Sequence, residues 1–251
     1  MISLQQQKNL LLDLEEIENL KIAQDVSERK KFSKDFFDYS PILQSQLQNC
    51  CADFVVRPNS VEAVISVARA CHVNNVPLTL RGSGTGNYGQ CVPLEGGVVM
   101  LMGDLNQIRN IDSLSGQVIV EPGCLLRDLN RQLVRSDRQL RLLPSTWRSA
   151  SIGGFIAGGS GGIGSVRWGF LRDPGHLLGL EIVTVEESPR KLQLEAQEAE
   201  ALNHAYGTNG IITALTLATA PLISWQEVAI DCASWSEAVQ LFQNCTRAAI
   251  D

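Results

Sequence analysis

The sequence has no basic surplus, no paired-cysteine motif and no long apolar run. Its formal net charge is -6, so it lacks the cationic excess that neutralises nucleic-acid phosphates, and no nucleic-acid partner is expected. The one short basic run, Arg29-Lys30-Lys31, lies between Glu28 and Asp35 and reads as a solvated helix end. The 7 cysteines are odd in number and irregular in spacing, with no CxxC pair; they support neither a zinc site nor a thioredoxin-like motif, and no metal is assigned. Free thiols suit a reducing compartment, so the cytoplasm is the expected location. Leu10-Leu11-Leu12 is followed at once by Asp13, Glu15, Glu16 and Glu18, a charge order that no signal peptide has, and no stretch approaches the length of a membrane span. No Gly-Lys-Ser/Thr occurs, which removes the Walker loop. Only His72, His176 and His204 are available as imidazole bases. None sits in a convincing base motif, and no catalytic residue is assigned.

What is present suits one large or two modest domains with a real core. Leu10, Leu14 and Ile17 fall at helical spacing and predict an amphipathic helix over about Gln5 to Asp25. A charged connector follows, then a short helix from Pro41 to about Gln48. Asp53 to Arg57 reads as a strand stopped by Pro58. Ser60 caps a helix whose apolar side carries Ala63, Val64, Val67, Ala68 and Cys71. Short strands are expected at Pro77–Leu80, Val98–Leu101, Ile108–Asp112, Gln117–Glu121 and Gly179–Val185, and a long strand at Ile211–Ala220, ended by Pro221. A helix is expected at Leu125–Val134, and a turn or short helix at His204–Gly210. The elements alternate irregularly, so the class is α+β. After Pro221 the pattern gives one strand, Trp225–Ala233, and one helix, Ser234–Ala249. That is too little for a core of its own.

Two glycine-rich segments stand out. The strand ending at Leu80 runs into Arg81-Gly82-Ser83-Gly84-Thr85-Gly86. Such a turn offers closely spaced N–H groups with no side chains in the way, a nest for phosphate oxygens, with hydroxyls from Ser83 and Thr85 and with Arg81 at its edge. A plain glycine-rich turn without a ligand remains the alternative for this loop alone. The spacing departs from the Rossmann fingerprint, which needs two residues before its third glycine. The second segment, Ser151 to Gly162, is too glycine-rich for a stable isolated helix and too apolar for a linker. Close approach of its backbone to a ligand or to another backbone is expected. Two such segments together favour a large phosphate-bearing cofactor.

The ordered pieces Arg57-Pro58, Arg81 to Gly86, Glu121-Pro122-Gly123, Ser151-Ile152-Gly153-Gly154, Gly158 to Gly162, Arg167-Trp168-Gly169 and Gly210-Ile211-Ile212-Thr213 resemble the FAD-binding domain of the vanillyl-alcohol-oxidase, or p-cresol methylhydroxylase, type. The nearest branch is that of D-lactate dehydrogenase and the glycolate oxidase FAD subunit. The resemblance covers about Asp53 to Pro221. It implies a two-subdomain FAD-binding domain over 1–222, with an N-terminal helical extension over 1–50, and the start of a truncated substrate or cap domain over 223–251. It also implies roles for single residues. The backbone of Gly82 to Gly86 would hold the pyrophosphate. Ser145, Ser151, Gly153 and Gly154 would contact the ribityl-pyrophosphate region. Gly158, Gly161 and Gly162 would pass near the isoalloxazine ring, and Ile212 would face the adenine through its backbone.

Thr85 stands where histidine-linked members carry their attachment residue, so the FAD is expected to be non-covalent. The activity implied is that of a flavin-dependent oxidoreductase, a 2-hydroxy acid dehydrogenase or oxidase that moves hydride from a small substrate to FAD. The alternative is a non-catalytic flavin-binding subunit that needs a partner chain to supply the cap. An NAD-dependent Rossmann enzyme is disfavoured by the glycine spacing and the missing βαβ unit.

Overall fold

A computed structural model of the chain describes residues 2–248. Four strands, β1 (Lys21–Ala23), β2 (Phe54–Arg57), β3 (Leu78–Arg81) and β4 (Val98–Leu101), form one sheet in the order β1-β2-β4-β3. β2, β4 and β3 run parallel, and β1 pairs antiparallel with β2. Parallel neighbours need a crossover. α4 (Val61–Val73) carries the chain from β2 over to β3, on the far side of β4, and its first turn is fixed by the Ser60 hydroxyl accepting from Ala63 N at 3.1 Å. All four residues of β4 are buried, as expected for a strand covered on both faces. α1 (Leu4–Glu15) packs beside α4, and Leu10 and Leu14 join Val64, Val67, Phe54, Val56 and Met100 in one core. α2 (Val26–Phe32) and α3 (Pro41–Leu47) complete this N-terminal part.

The second sheet is antiparallel and is built around one long strand. β5 (Ile108–Asp112), β6 (Gln117–Val120), β10 (Ile211–Pro221), β8 (Leu177–Val183) and β9 (Lys191–Glu195) lie in the order β5-β6-β10-β8-β9, and β7 (Arg138–Leu140) pairs with the far end of β10. α5 (Leu126–Val134) turns Leu126, Leu129 and Leu133 inward, and α6 (Ile152–Gly158) adds Ile152, Phe155 and Ile156 to the same core. α7 (Ser165–Trp168) and α8 (Ala196–Ala199) are single turns. Val183 and Ile211, from strands of the second sheet, sit in the first sheet's core. That shared packing holds the two sheets side by side and leaves a cleft where β3, α6 and the start of β10 meet. The expected α+β class and two-part architecture are what the structure has.

Four local expectations are corrected. The helix foreseen over Gln5–Asp25 stops at Glu15. Asn19 then takes a left-handed φ of 58°, and Ile22 pairs with Val56 at the sheet edge. The hydrogen-bonding edge of β2 outweighs the weak helical preference of a short charged segment. The charged connector after it is a helix, α2, capped by Asp25. Ser151–Gly162, read as too glycine-rich for an isolated helix, contains one at 152–158. Each glycine costs about 1 kcal/mol, but Ile152, Phe155 and Ile156 recur at helical spacing and are buried, each worth about 1.5–3 kcal/mol. Finally, Trp225–Ala233 forms no strand. It has no sheet edge to pair with, and a lone strand has no hydrogen-bond partners. α9 (Trp235–Ala248) does form, with the Ser234 hydroxyl accepting from Glu237 N at 3.2 Å. Residues 249–251 of the expected second unit lie outside the described residues.

Candidate functional site: a glycine-lined cleft

β3 delivers Arg81 at its end and passes straight into residues 82–86. On the facing wall α6 begins at Ser151. The two glycine segments touch, because a Cβ at Gly82 would overlap the Ser151 hydroxyl and lie 3.4 Å from Gly154 Cα. Gly153 meets Pro122 just as closely; a Cβ there would come within 2.9 Å of the Pro122 carbonyl oxygen. Around these contacts lies a cleft of about 1040 Å³, open mouth included.

Of the residues singled out in the sequence, Arg81, Gly82, Ser83, Gly84, Thr85, Gly86, Ser151, Gly153, Gly154, Gly158 and Ile212 all line this cleft. Ser145, Gly161 and Gly162 do not. Ser145 is exposed between two lining residues, Pro144 and Thr146. Gly162 is tied instead to backbone, since a Cβ there would overlap the Leu143 carbonyl, across the isolated bridge Leu143–Ile163. Gly161 faces open space. Gln90, Cys91, Met102 and Tyr206 also line the cleft and carried no mark in the sequence. For Tyr206 the neighbouring Gly207 and Gly210 were the available signal.

The chemistry of the cleft is set by its backbone. The N–H groups of Ser83, Gly84, Thr85 and Gly86 donate to no protein acceptor among the described residues. Ser83 is exposed and residues 84–86 are half-buried on the cleft wall, so these four consecutive donors are open to a ligand, as in the backbone turns that receive anions. Gly84 holds φ at +68°, and a Cβ on it would run into the Arg81 guanidinium. Arg81 is buried and braces the loop from behind. Its Nη1 donates to the Lys34 carbonyl at 2.5 Å and to Cys91 Sγ at 3.0 Å. Burial pushes the Cys91 thiol above its ordinary range, against the opposing pull of Arg81.

The opposite end of the cleft is formed by β10 and the turn before it. His204 N and Tyr206 N donate to the carbonyls of Ile156 and Ala157 at 3.0 and 2.9 Å, and the His204 ring nitrogen Nε2 lies 2.9 Å from the Tyr206 hydroxyl. His204 is thus a structural partner of Tyr206. His176 is buried with Nε2 2.8 Å from the Trp168 carbonyl, and it does not line the cleft; His72 is exposed on α4. Among the described residues no group of three His, Cys, Asp or Glu side chains is placed to hold a metal, and no helix is long and apolar enough to cross a membrane.

A run of free N–H groups, a facing glycine-rich helix and a cleft between the two sheets are features that suit a large, phosphate-bearing cofactor. Comparison with known proteins makes the class specific. The model of the FAD binding domain matches residues 52–192, and the chain belongs to that family, so FAD is its cofactor. The mitochondrial D-2-hydroxyglutarate dehydrogenase of Rattus norvegicus is 29% identical over 218 residues, which are 80% of this chain and 40% of that protein. The glycolate oxidase subunit GlcD of Bacillus subtilis (strain 168) is 33% identical over 147 residues, covering 59% of this chain and 30% of its own. Among solved structures, alkyldihydroxyacetonephosphate synthase superposes with a TM-score of 0.71 at 22% identity, over 85% of this chain and 40% of that one, a likeness of fold. The chain therefore spans about 40% of the length of the first of these relatives.

Proposed function

We propose that this chain is the FAD-binding portion of a flavin-dependent oxidoreductase that oxidises a small 2-hydroxy acid. The observation that carries the reading is the set of free N–H groups at 83–86 facing the glycine-rich start of α6, which suits the FAD pyrophosphate. On this reading the ribityl chain lies along Ser151–Gly154, the isoalloxazine lies toward Gly158, and the adenine lies toward Ile212. Bound FAD supplies hydride acceptance, the hard part of the chemistry. The chain's own residues bind, orient and shield it. The names of the D-2-hydroxyglutarate dehydrogenase and glycolate oxidase relatives support the substrate class.

FAD is held without a covalent link, because Thr85 offers no imidazole. Acid precipitation should release all of the yellow colour into the supernatant, and colour kept in the pellet refutes the assignment. The 7 unpaired thiols support a reducing compartment, the cytoplasm.

A second reading keeps the flavin site and moves the substrate contacts elsewhere, either to a cap domain that begins at 223 or to a partner chain. Trp225, Val228, Ile230, Trp235 and Phe242 are all exposed on the 222–248 segment, an apolar surface of the kind that other protein covers. Anaerobic mixing with D-lactate, glycolate or D-2-hydroxyglutarate separates the two. Flavin left oxidised by all three, yet bleached by dithionite, supports the second reading. Rapid bleaching by one of them shows that the described residues suffice.

A further inference from the structure

Segment 34–37 lies outside the part of the chain that matches the FAD binding domain, residues 52–192, yet three successive residues of it, Lys34, Asp35 and Phe36, are bonded to the loop at 81–90. The Asp35 carboxylate is the centre of this attachment. Oδ1 accepts from Phe37 N at 2.9 Å within the segment, and Oδ2 accepts from Gly89 N at 2.8 Å across to the loop. On one side of it Phe36 N donates to the Gly86 carbonyl at 2.8 Å. On the other side the Lys34 carbonyl receives Arg81 Nη1 at 2.5 Å. The two ends of the free N–H run are therefore fixed to the same short strap, Arg81 at the start and Gly86–Gly89 at the finish.

Asp35 is a poor choice for a residue whose only task is to fill space. Its side chain is buried, and burial raises its carboxyl above the ordinary range, although the N–H groups of Phe37, Gly89 and Gln90 and the charge of Arg81 pull the other way. A buried carboxylate of this kind is retained at a cost. What it supplies is two strong acceptors at a fixed separation, which neutral residues of similar size lack. Four successive donors converge on one anion only if the loop ends are held at the right distance.

We propose that Asp35 is a positioning residue for the anion-binding loop, clamping its Gly89 end to the 34–37 strap so that the N–H groups of 83–86 converge on the cofactor's pyrophosphate. This rests on the FAD reading of the cleft. It adds a part of the machinery that lies N-terminal to the matched domain.

The test uses the full chain carrying FAD, as wild type and as Asp35→Asn. The amide keeps one acceptor oxygen where the carboxylate has two. The expected result is an FAD dissociation constant raised about tenfold, with both phosphorus-31 resonances of the bound pyrophosphate displaced and the visible flavin band unchanged in shape. Asp38→Asn, exposed one residue beyond the strap, should move none of these. A folded Asp35→Asn protein that retains no FAD is the stronger form of the same result. Unchanged affinity with unmoved phosphorus resonances overturns the inference. So does weakened affinity with unmoved resonances, because Asp35 then serves stability alone. If Asp35→Asn fails to fold, Asp35→Glu keeps the charge and lengthens the arm, and phosphorus resonances at their wild-type positions in that variant overturn the inference equally. A wild-type protein that binds no FAD overturns the reading of the cleft itself, whatever Asp35 does.

Discussion

Gly82 and Ser151 pack so closely that the Ser151 hydroxyl occupies the space a side chain on Gly82 would need. The same hydroxyl accepts from Gly154 N at 3.4 Å and so caps α6. One oxygen therefore serves both glycine segments, and the approach holds only while position 82 carries no side chain.

Gly84→Val should abolish or strongly weaken FAD binding, by at least about tenfold, while most of the secondary structure survives. The cause is the +68° backbone angle together with collision against Arg81, more than crowding of the ligand directly. Co-purifying flavin absorbance and circular dichroism measure both halves of the claim. Gly103→Ala is the proper control, because its Cβ meets nothing within 4 Å. Gly116, in the turn between β5 and β6, would be unsuitable. It holds φ at +72°, and a Cβ there would strike Arg138.

Gly154→Asp puts a carboxylate on the cleft wall beside the loop at 82–86. FAD brings two phosphate charges to that wall on the proposed reading, so affinity should fall by at least about tenfold, a little over 1 kcal/mol of like-charge repulsion. Titration by flavin fluorescence at low and high salt checks it. Affinity should recover in part as salt screens the pair. An unchanged dissociation constant would place the pyrophosphate elsewhere.

Glu181 gives a pH dependence whose sign follows from its surroundings. Burial raises its carboxyl, but the Thr213 hydroxyl at 3.0 Å, Arg109 at 3.2 Å and Lys191 at 3.7 Å outweigh burial and hold it below its ordinary 4.5. A depressed carboxyl contributes stability above the unfolded-state value, and that stability is lost as pH falls through the folded-state value. Glu181→Gln should cost about 1–2 kcal/mol in urea unfolding near neutral pH. The gap to wild type should shrink steadily below about pH 4.5. A gap that stays constant into acid would remove the ion pairs from the account.

The thiols should react in a fixed order. Burial pushes Cys71 up to about 12 and Cys124 to about 11, so neither offers thiolate to an alkylating agent under mild conditions. Cys245 is exposed on α9. Iodoacetamide on the native protein, read by peptide mass, should label Cys245 first and leave Cys71 and Cys124 unlabelled until denaturant is added.

What the sequence disclosed was mainly local. Gly82, Gly84 and Gly86 were legible because a nest needs small residues at close spacing, a constraint written in consecutive positions. β4 was legible because a doubly covered strand is apolar without interruption. The strand at Lys21–Ala23 was hidden because it exists through Val56, and α6 was hidden because its stability comes from where Ile152, Phe155 and Ile156 are buried. Trp225–Ala233 had the alternation of a strand and no neighbour to pair with. Asp35 was illegible for the same reason: it acts on the loop through contacts made by folding, and nothing in the adjacent residues distinguishes it from a surface aspartate. Tyr206 had only the glycines at 207 and 210 beside it as a sign.

The long central strand β10 also works as a ruler. Ile211 at one end floors the cleft, and Pro221 at the other is where the chain leaves the sheet, a separation of about 33 Å at the usual rise of an extended strand. Residues 222–234 carry no helix or strand of their own, but their first residues are moored: Leu222 N donates to the Asp137 carbonyl at 2.9 Å, and Ile223 N and the Trp225 indole N–H both donate to Gln139 Oε1. The chain therefore leaves the sheet from a fixed berth, one strand length away from the cleft floor.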